Sequence, residues 1–302
     1  MTTKLEQLVE RVKLGGKKRL VAAYANDAHT IEAVNMAVER GIVDAMLVGD
    51  TAAITKVCND EKIDVNRFAI VHESDETKAA AKAVEMVREG KADVLMKGQL
   101  STDKYMRAIL NKVTGLLPEK ATLSHVCVME LPAYHKLLVI SDIAVIPAPD
   151  LKQKITMTNN VIAVARRLSI DQPKVALIAA TEQMLPGMPA CVDAAVIAKM
   201  ADRGQIRSAL VDGPLAVDVA IDPEAVAIKK LSSPVAGDAD AMVFHSIEAA
   251  NAFFKAATKL ANAEIAGIVI GAKAPCVLTS RGDSTKTKLY SIALAVLMCG
   301  KK

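Results

Sequence analysis

Residues 20–50 read LVAAYANDAHTIEAVNMAVERGIVDAMLVGD. The apolar runs Leu20–Ala25 and Asp44–Val48 have the length of buried strands, and Thr30–Arg40 between them has helical spacing. The same alternation continues along the chain with helices Thr51–Asn59 and Ser74–Glu89 and strands Phe68–Val71 and Asp93–Met96. Alternating strands and helices predict parallel βαβ units with helices on both faces of the sheet.

The pattern changes after Lys112, where the strand-like runs Leu123–Met129 and Lys136–Ile140 are separated by a short segment that contains Pro132. Such spacing predicts an antiparallel hairpin. The alternation then resumes with helix Leu151–Arg167, strand Val175–Ala180, helix Val192–Asp202, strands Ser208–Val211 and Ala241–Phe244, helix Ser246–Ala261, strand Ile265–Gly271 and helix Ser284–Cys299.

We therefore expect an α/β protein built as a two-lobed αβα sandwich. Its first domain would comprise residues 1–117 plus 271–302, and its second domain, with the hairpin, residues 118–270. The active-site cleft is expected between them, because ligands of such sheets bind beyond the carboxyl ends of strands.

Composition excludes several classes of protein. The chain has 302 residues, 52% of them hydrophobic and 24% charged, which fits a folded chain rather than a disordered one. No apolar stretch approaches the length of a membrane span, and the first residues, MTTKLEQLVERV, lack the apolar core of a signal peptide. The net charge of +4 and the absence of Trp argue against nucleic acid but are compatible with small anionic ligands.

Cysteine and histidine usage predicts the compartment. The five cysteines form no CxxC pair, and the five histidines stand apart with no HExxH motif. We therefore expect a cytoplasmic protein with neither a disulfide framework nor a protein-bound metal.

The segment with the most chemistry is AGIVIGAKAPCVLTSRGDSTKTKLYSIALAVLM, Ala266–Met298. A buried strand leads to Ser280-Arg281-Gly282-Asp283, and Ser284 is a good N-cap for the final helix. Backbone N–H groups, a hydroxyl and a guanidinium at a helix start suit a phosphate anion. The alternative is an ordinary loop, in which Arg281 is solvated or paired with Asp283.

A second strand-to-helix turn is MKGQLSTDKYMRAILNK, Met96–Lys112. Lys97 and Gly98 end the strand, Ser101 and Thr102 offer hydroxyl groups at the helix start, and Arg107 lies one to two turns into the helix. An anion site is one interpretation, and a capped surface helix with solvated Lys97 and Arg107 is the other.

Two further segments carry carboxylates. Glu182 follows a buried strand, which makes it a candidate for a general base or for substrate positioning, although a loop carboxylate is the simpler explanation. Asp212-Gly213-Pro214 predicts a turn beyond a strand, and Asp218 follows it.

Several nucleotide and hydrolase motifs are absent from the sequence. No GxGxxG follows the first strand, Gly15-Gly16-Lys17-Lys18 lacks the spacing of a P-loop, and GxSxG does not occur. Cys127 and Cys276 are possible nucleophiles, but isolated buried cysteines are usually small core residues.

Seven segments between Met96 and Met298 together resemble the phosphate acetyl/butyryltransferase family, and most closely its phosphate butyryltransferase branch. They are KGQLSTDKYMRAIL, LSHVCVMELP, LLVISDIAVIPAPDLKQK, LPGMPACVDAA, DGPLAVD, VAGDADAMVF and GAKAPCVLTSRGDSTKTKLYSIALA. The region before Asp93 matches mainly in its order of strands and helices.

The resemblance implies an isocitrate/isopropylmalate-dehydrogenase-like fold without dinucleotide chemistry. It also implies reversible acyl transfer between coenzyme A, as a substrate rather than a cofactor, and inorganic phosphate. In the family the Ser-Arg pair binds the phosphoryl group, which corresponds to Ser280 and Arg281, and the helix arginine corresponds to Arg107. The acetyl branch has a candidate base, an Asp, at the position of Thr287, so that role cannot be transferred. Asp283 or Glu182 would replace it, unless no strong base is needed.

The predicted site is therefore assembled from nine residues. The catalytic candidates are Ser280, Arg281 and Asp283, and the substrate- or phosphate-binding candidates are Lys97, Ser101, Thr102, Arg107, Glu182 and Gly282. Expected partners are an acyl-CoA, phosphate and further copies of the chain in a homo-oligomer. The alternatives are a phosphate acetyltransferase, an NAD- and metal-dependent hydroxy-acid dehydrogenase of the same fold class, or an inactive CoA- or phosphate-binding module.

Overall fold

The computed structural model describes residues 2–280 and 282–300. Arg281, a predicted catalytic residue, lies outside the described residues. The strands are β1 Lys18–Ala23, β2 Val43–Gly49, β3 Phe68–His72, β4 Val94–Lys97, β5 Ser124–Glu130, β6 Leu137–Ser141, β7 Lys174–Ile178, β8 Leu210–Leu215, β9 Ala241–Val243, β10 Glu264–Ile270 and β11 Cys276–Val277. The α-helices are α1 Leu5–Lys13, α2 Ala28–Glu39, α3 Thr51–Asp60, α4 Glu76–Arg88, α5 Thr102–Leu110, α6 Leu151–Arg167, α7 Pro189–Asp202, α8 Val217–Ile221, α9 Pro223–Lys229, α10 Ile247–Leu260 and α11 Thr285–Met298.

The chain forms two compact units. The terminal unit contains residues 5–123 and 265–300, and the central unit contains residues 2–4 and 124–264. The boundaries therefore lie at 123/124 and 264/265, where the sequence suggested 117/118 and 270/271.

The terminal unit is an α/β layer around the strand order β3-β2-β1-β4-β11-β10. Strands β1 to β4 and β11 are parallel along this order, and β10 is antiparallel to β11. Its core includes the fully buried Leu20 and Val21 of β1 and Leu95 of β4. Tyr105 of α5 is also fully buried, and its hydroxyl donates to the carbonyls of Leu95 (3.3 Å) and Val277 (3.1 Å), so α5 is fastened across β4 and β11.

Short polar residues start the terminal unit's helices directly after its strands. Asp27, Asp50, Asp75, Ser101 and Ser284 are the N-caps of α2, α3, α4, α5 and α11, and each side chain accepts a backbone N–H of the first turn. Such caps satisfy N–H groups that the helix leaves without internal partners, and so they fix where each helix begins.

The central unit has the strand order β5-β6-β9-β7-β8. The predicted hairpin is confirmed, because β5 and β6 pair antiparallel from Val126↔Ser141 to Glu130↔Leu137. The β6, β9, β7 and β8 strands are parallel, and α6 has the bounds predicted from the sequence.

The predicted turn at Asp212-Gly213-Pro214 is wrong, since these residues lie inside β8. Proline usually marks a turn because it cannot donate a ladder hydrogen bond, but β8 is the last strand in the order and an edge position tolerates that loss. The two-residue strand β11 and the short helices α8 and α9 were also not predicted, because segments this short show too few residues to establish a period.

Within residues 2–280 and 282–300, no helix has the length and apolar character needed to cross a membrane.

A charged cluster ties the hairpin of the central unit to neighbouring strands. Lys136 forms ion pairs with Asp238 (2.8 Å) and Asp240 (2.7 Å), and Lys174 forms one with Asp238 (2.8 Å). Burial alone raises the pKa of Asp238, but hydrogen bonds from Lys136 and Lys174 outweigh this effect and lower the pKa from 3.8 to about 2.

This shift predicts a pH-dependent contribution to stability. Because the folded-state pKa of Asp238 is below the unfolded-state value of 3.8, its contribution is present above that value and is lost as the pH falls toward about 2. Asp238→Asn should therefore have a lower free energy of unfolding than the unsubstituted protein at pH 6, and the difference should shrink as the pH falls below 4. Urea unfolding at a series of pH values measures this, and a difference that stays constant down to pH 2.5 would contradict it.

Candidate functional site

Three strands of the terminal unit end at the same edge. β4 is parallel to β1 and to β11, with Ala23 opposite Lys97 and Met96 opposite Val277. The segments 24–27, 98–102 and 278–280 therefore emerge side by side at the carboxyl ends of the strands. Two of the sequence-predicted segments, around Gly98 and around Ser280, are thus placed at the edge where α/β sheets bind ligands.

Gly98 permits the close packing of the first two segments. Its N–H donates to the Ala23 carbonyl and the N–H of Gln99 donates to the Tyr24 carbonyl, both at 2.9 Å. A Cβ atom at position 98 would lie 2.5 Å from the Tyr24 carbonyl oxygen, closer than real Cβ atoms approach. A glycine is therefore required for this approach of the two backbones.

The N-terminus of α5 already has a carboxylate partner. The Ser101 hydroxyl accepts the Lys104 N–H at 3.2 Å, while the Ser101 N–H donates to the carboxylate of Glu76 at 2.6 Å. The ammonium group of Lys104 also pairs with Glu76. Thr102 next to it is exposed. An anion site was one of the two interpretations of this turn, and in the structure its Ser101 N–H faces the protein's own Glu76, a contact that the sequence pattern did not predict.

The two predicted cations of this segment lie in opposite environments. Lys97 is only 3% exposed, and its Nζ lies 3.3 Å from the Gly98 carbonyl. The Arg107 side chain is 79% exposed and pairs with Asp103 one helical turn earlier, at 2.9 Å. Lys97 is buried at the carboxyl end of β4, the edge of the sheet where α/β proteins bind ligands, so it is the stronger candidate of the two.

The loop before α11 is closed by its own side chains. An Asp283 carboxylate oxygen accepts the Ser280 N–H at 2.6 Å, and the Asp283 N–H donates to the Ser280 carbonyl at 3.2 Å. Ser280 is exposed, Thr279 is buried, and nothing lies within 4 Å of a Cβ placed on Gly282. Asp283 is thus placed to shape the loop around an accessible Ser280 hydroxyl.

Lys288, the fourth residue of α11, was not among the site residues predicted from the sequence. This side chain is 3% exposed, and its Nζ donates to the Ser280 carbonyl at 2.9 Å and to the Thr279 hydroxyl at 3.4 Å. Burial lowers the pKa of Lys288, and the negative charges of Asp27 and Asp283 act in the opposite direction. A lysine among the apolar residues of this helix was the available signal.

Thr287 stands at the position where the acetyl branch is expected to have an aspartate. Its N–H donates to the Ser284 hydroxyl at 3.1 Å, and the two hydroxyl oxygens are 3.2 Å apart. This contact belongs to the N-cap of α11 and supplies no carboxylate.

Glu182 lies in the central unit and has structural partners there. One of its carboxylate oxygens accepts the Ala216 N–H at 3.1 Å and pairs with Lys229 at 3.2 Å. These contacts connect the loop after β7 to the residue before α8. They match the simpler explanation of Glu182 as a loop carboxylate.

The candidate nucleophilic cysteines are both fully buried, at the strand positions Cys127 and Cys276. Burial raises the pKa of the Cys276 thiol from 9.0 to about 12, although its hydrogen bond with Tyr105 acts in the other direction. A thiol with this pKa is protonated at neutral pH, and the thiolate is the nucleophilic form. For metal ligation, residues 2–280 and 282–300 contain no group of three or more His, Cys, Asp or Glu side chains able to hold an ion.

Comparison with known proteins gives matches over the whole chain. The family "Phosphate acetyl/butaryl transferase" matches residues 3–82 and 74–296. A phosphate butyryltransferase from Clostridium acetobutylicum is 44% identical over 302 residues, covering 100% of both chains. A phosphate acetyltransferase from Thermotoga maritima is 41% identical over 293 residues, covering 97% of this chain and 99% of the relative.

A solved structure is similar at the level of the fold and the sequence. The branched-chain phosphotransacylase from Enterococcus faecalis V583 aligns with a TM-score of 0.81 and 32% identity, covering 94% of this chain and 100% of that one. The resemblance found in the sequence motifs is confirmed, and the chain belongs to the phosphate acetyl/butyryltransferase family, whose members are acyltransferases.

Proposed function

We propose that the chain reversibly converts butyryl-CoA and inorganic phosphate to butyryl phosphate and coenzyme A. This proposal rests mainly on the similarity to the phosphate butyryltransferase of C. acetobutylicum, which is 44% identical over the full length of both chains. Membership of the family argues against the dehydrogenase alternative. An isocitrate/isopropylmalate-dehydrogenase-like architecture, a homo-oligomeric state and a cytoplasmic location stay predictions.

The main requirement of this reaction is to stabilise the negative charges of the phosphate and of the tetrahedral oxyanion, and a strong base is less important. A phosphate oxygen attacks the thioester carbonyl carbon, a tetrahedral oxyanion forms, and the C–S bond then breaks to release the thiolate, which takes up a proton. The second pKa of phosphate is about 6–7, so the nucleophile is an anion at neutral pH and part of it is already the dianion. The obstacles are bringing two anions together and stabilising the oxyanion, and one preorganised donor contributes about 10²–10³ in rate to such steps.

The structure supports placing phosphate at the loop before α11. There Ser280 is exposed at the carboxyl end of β11, Arg281 and Gly282 follow it, and Lys97 is buried at the end of the adjacent strand. In this proposal Ser280 and Arg281 bind the phosphoryl group and Lys97 adds positive potential. Asp283 holds the loop through the Ser280 N–H rather than acting as the base.

The other candidates receive smaller roles in this proposal. Ser101 and Thr102 lie at the start of α5, where the Ser101 N–H already donates to Glu76, so we place no phosphate there. Arg107 is solvent-exposed and paired with Asp103 through Nε, so we assign it no direct contact with phosphate. Glu182 keeps its contacts with Ala216 and Lys229 and is not needed as a base.

Transfer is proposed to be direct, without an acyl-enzyme. The buried Cys276 has a raised pKa, and Cys127 lies fully buried in β5. Neither thiol has the accessible, ionised character of a catalytic nucleophile.

Acetyl transfer is the second candidate function, because the T. maritima phosphate acetyltransferase is 41% identical. A butyryl chain has two more methylene groups than an acetyl chain. Their burial is worth roughly 1.6 kcal/mol, at about 0.8 kcal/mol each, which corresponds to a preference of about tenfold. Chain length therefore distinguishes the two candidates.

The first prediction is phosphate-dependent release of thiol from butyryl-CoA. Free thiol should appear only when phosphate is present, together with an equal amount of butyryl phosphate, and kcat/KM should favour butyryl-CoA over acetyl-CoA by about tenfold. Following the thiol with a colorimetric reagent at equal concentrations of both substrates measures this.

Three outcomes would contradict the proposal in different ways. Release that does not require phosphate would indicate a thioesterase, and no release at all would indicate a binding module. A preference for acetyl-CoA would replace butyryl transfer by acetyl transfer.

The second prediction concerns the direct mechanism. Butyryl-CoA mixed with the enzyme without phosphate, then quenched in acid, should leave the protein at its unmodified mass, because no thiol accepts the acyl group. Intact-mass spectrometry followed by peptide mapping tests this. A butyryl group on Cys127 or Cys276 that disappears when phosphate is added would contradict direct transfer.

A further inference from the structure

Lys288 occupies a position that is unfavourable for a cation. It is the fourth residue of α11, close to the N-terminal end of the helix, where the helix dipole is positive. It is also nearly inaccessible to water, at 3% exposure, and burial of an ammonium group is costly without partners. Lys286, two residues earlier in the same helix, is instead exposed and lies 5.5 Å from the centre of the Tyr290 ring.

The cost of burying the Lys288 ammonium group is offset by hydrogen bonds with the loop that contains Ser280. Nζ of Lys288 donates to the Ser280 carbonyl at 2.9 Å and to the Thr279 hydroxyl at 3.4 Å. Asp27 and Asp283 also act on Lys288 through their charge. One oxygen of Asp27 accepts the Thr30 N–H, while its other oxygen is buried without a hydrogen-bond partner among the described residues.

Ser280 is consequently held from both sides. Its N–H donates to Asp283 at 2.6 Å, and its carbonyl accepts from Lys288 at 2.9 Å. Because both the N–H and the carbonyl of Ser280 are fixed, the backbone at this residue cannot turn freely. The hydroxyl of the exposed Ser280 can therefore point only in the directions that its side-chain rotamers allow. Since the N–H of Ser280 is taken by a carboxylate, the loop has one donor fewer for an anion and depends more on neighbouring positive charge.

Charge balance gives Lys288 a second effect on the same loop. Asp27 and Asp283 place two negative charges near Lys288, whose ammonium group contacts Thr279 and Ser280, and these charges would repel a phosphate. Lys288 opposes them from a buried position, where electrostatic interactions are stronger than in water.

We propose that Lys288 is a positioning residue that holds the Thr279–Ser280 segment in its phosphate-binding conformation and offsets the charge of Asp27 and Asp283. The inference rests on the proposed function in one respect, namely that the anion taken by this loop is inorganic phosphate. Lys288 of α11 would act on the phosphate indirectly, through its hydrogen bond to Ser280, and would not contact the phosphate itself.

The test compares Lys288→Met with the matched control Lys286→Met, which removes the same charge from an exposed site on the same helix. Isothermal titration with inorganic phosphate gives the Kd, and steady-state kinetics give KM for phosphate and for butyryl-CoA separately. Lys288→Met should raise the phosphate Kd and KM by about tenfold or more and leave KM for butyryl-CoA within twofold, because the loop loses its charged hydrogen bond to Nζ and the charge that offsets Asp27 and Asp283. Lys286→Met should match the unsubstituted enzyme.

A purely structural role gives a different result. Partial unfolding of Lys288→Met would lower the apparent kcat through a smaller active fraction and leave both KM values unchanged, and that result would overturn the inference. Equal phosphate Kd values for the two variants, or no phosphate binding by the unsubstituted protein, would overturn it as well. Phosphate binding without thiol release would instead count against the proposed function alone.

If Lys288→Met does not fold, Lys288→Gln provides the second variant. It is uncharged and keeps a donor of shorter reach, and it should also weaken phosphate binding. Lys288→Arg, which keeps both the charge and a donor, should recover part of the loss in phosphate Kd, and equal affinities for the Gln and Arg variants would contradict the assigned role of the charge.

Discussion

Parallel pairing of β4 with both β1 and β11 is the constraint on which the candidate site depends. The three strands point the same way, so the residues that follow Ala23, Lys97 and Val277 converge at one edge of the terminal unit. Gly98 allows two of these segments to touch backbone to backbone, and the Tyr105 hydroxyl fastens α5 to the carbonyls of Leu95 and Val277. A change that separates these strands would dismantle the site without altering any of its polar residues.

Buried charge distinguishes this edge from an ordinary set of capped helices. Lys97 and Lys288 are each 3% exposed, whereas most lysines of a globular protein reach water. Two carboxylates at the same edge accept backbone N–H groups, Asp283 from Ser280 and Glu76 from Ser101. These acidic side chains are thus engaged in closing loops, while two lysines are buried at the same edge.

The helices, strands and site loops could be predicted from the sequence more reliably than the side-chain contacts between them. The strand–helix alternation, the hairpin and the bounds of α6 follow from local patterns of apolar and polar residues, and so does Ser284 as the N-cap of α11. The contact of Asp283 with the Ser280 N–H and the pairing of Arg107 with Asp103 were not predicted, since the sequence offered Arg281 as the partner of Asp283 and a solvated Arg107. Glu76 is 25 residues from Ser101, and its contact depends on how α4 packs beside α5, which no spacing rule encodes.

The same limit explains Lys288 and β11. The apolar residues around Lys288 could have indicated its burial, but its contact with the Ser280 carbonyl depends on how the loop packs against α11. β11 has only two residues, and it is a strand because it forms backbone hydrogen bonds with both β4 and β10. Its neighbour β4 is distant in sequence, so the two residues alone do not predict a strand. The resemblance to the family assigned phosphate binding to Ser280 and Arg281 together, whereas the physical patterns alone left open whether this loop binds an anion.

The most direct measurement is a crystal structure of the protein grown with phosphate and free coenzyme A. The account predicts one phosphate within hydrogen-bond distance of the Ser280 hydroxyl, with the Arg281 guanidinium bound to it. It also predicts that Lys288 remains on the Ser280 carbonyl. An empty Ser280 loop with phosphate bound at the α5 N-terminus in place of the Glu76 carboxylate would contradict it.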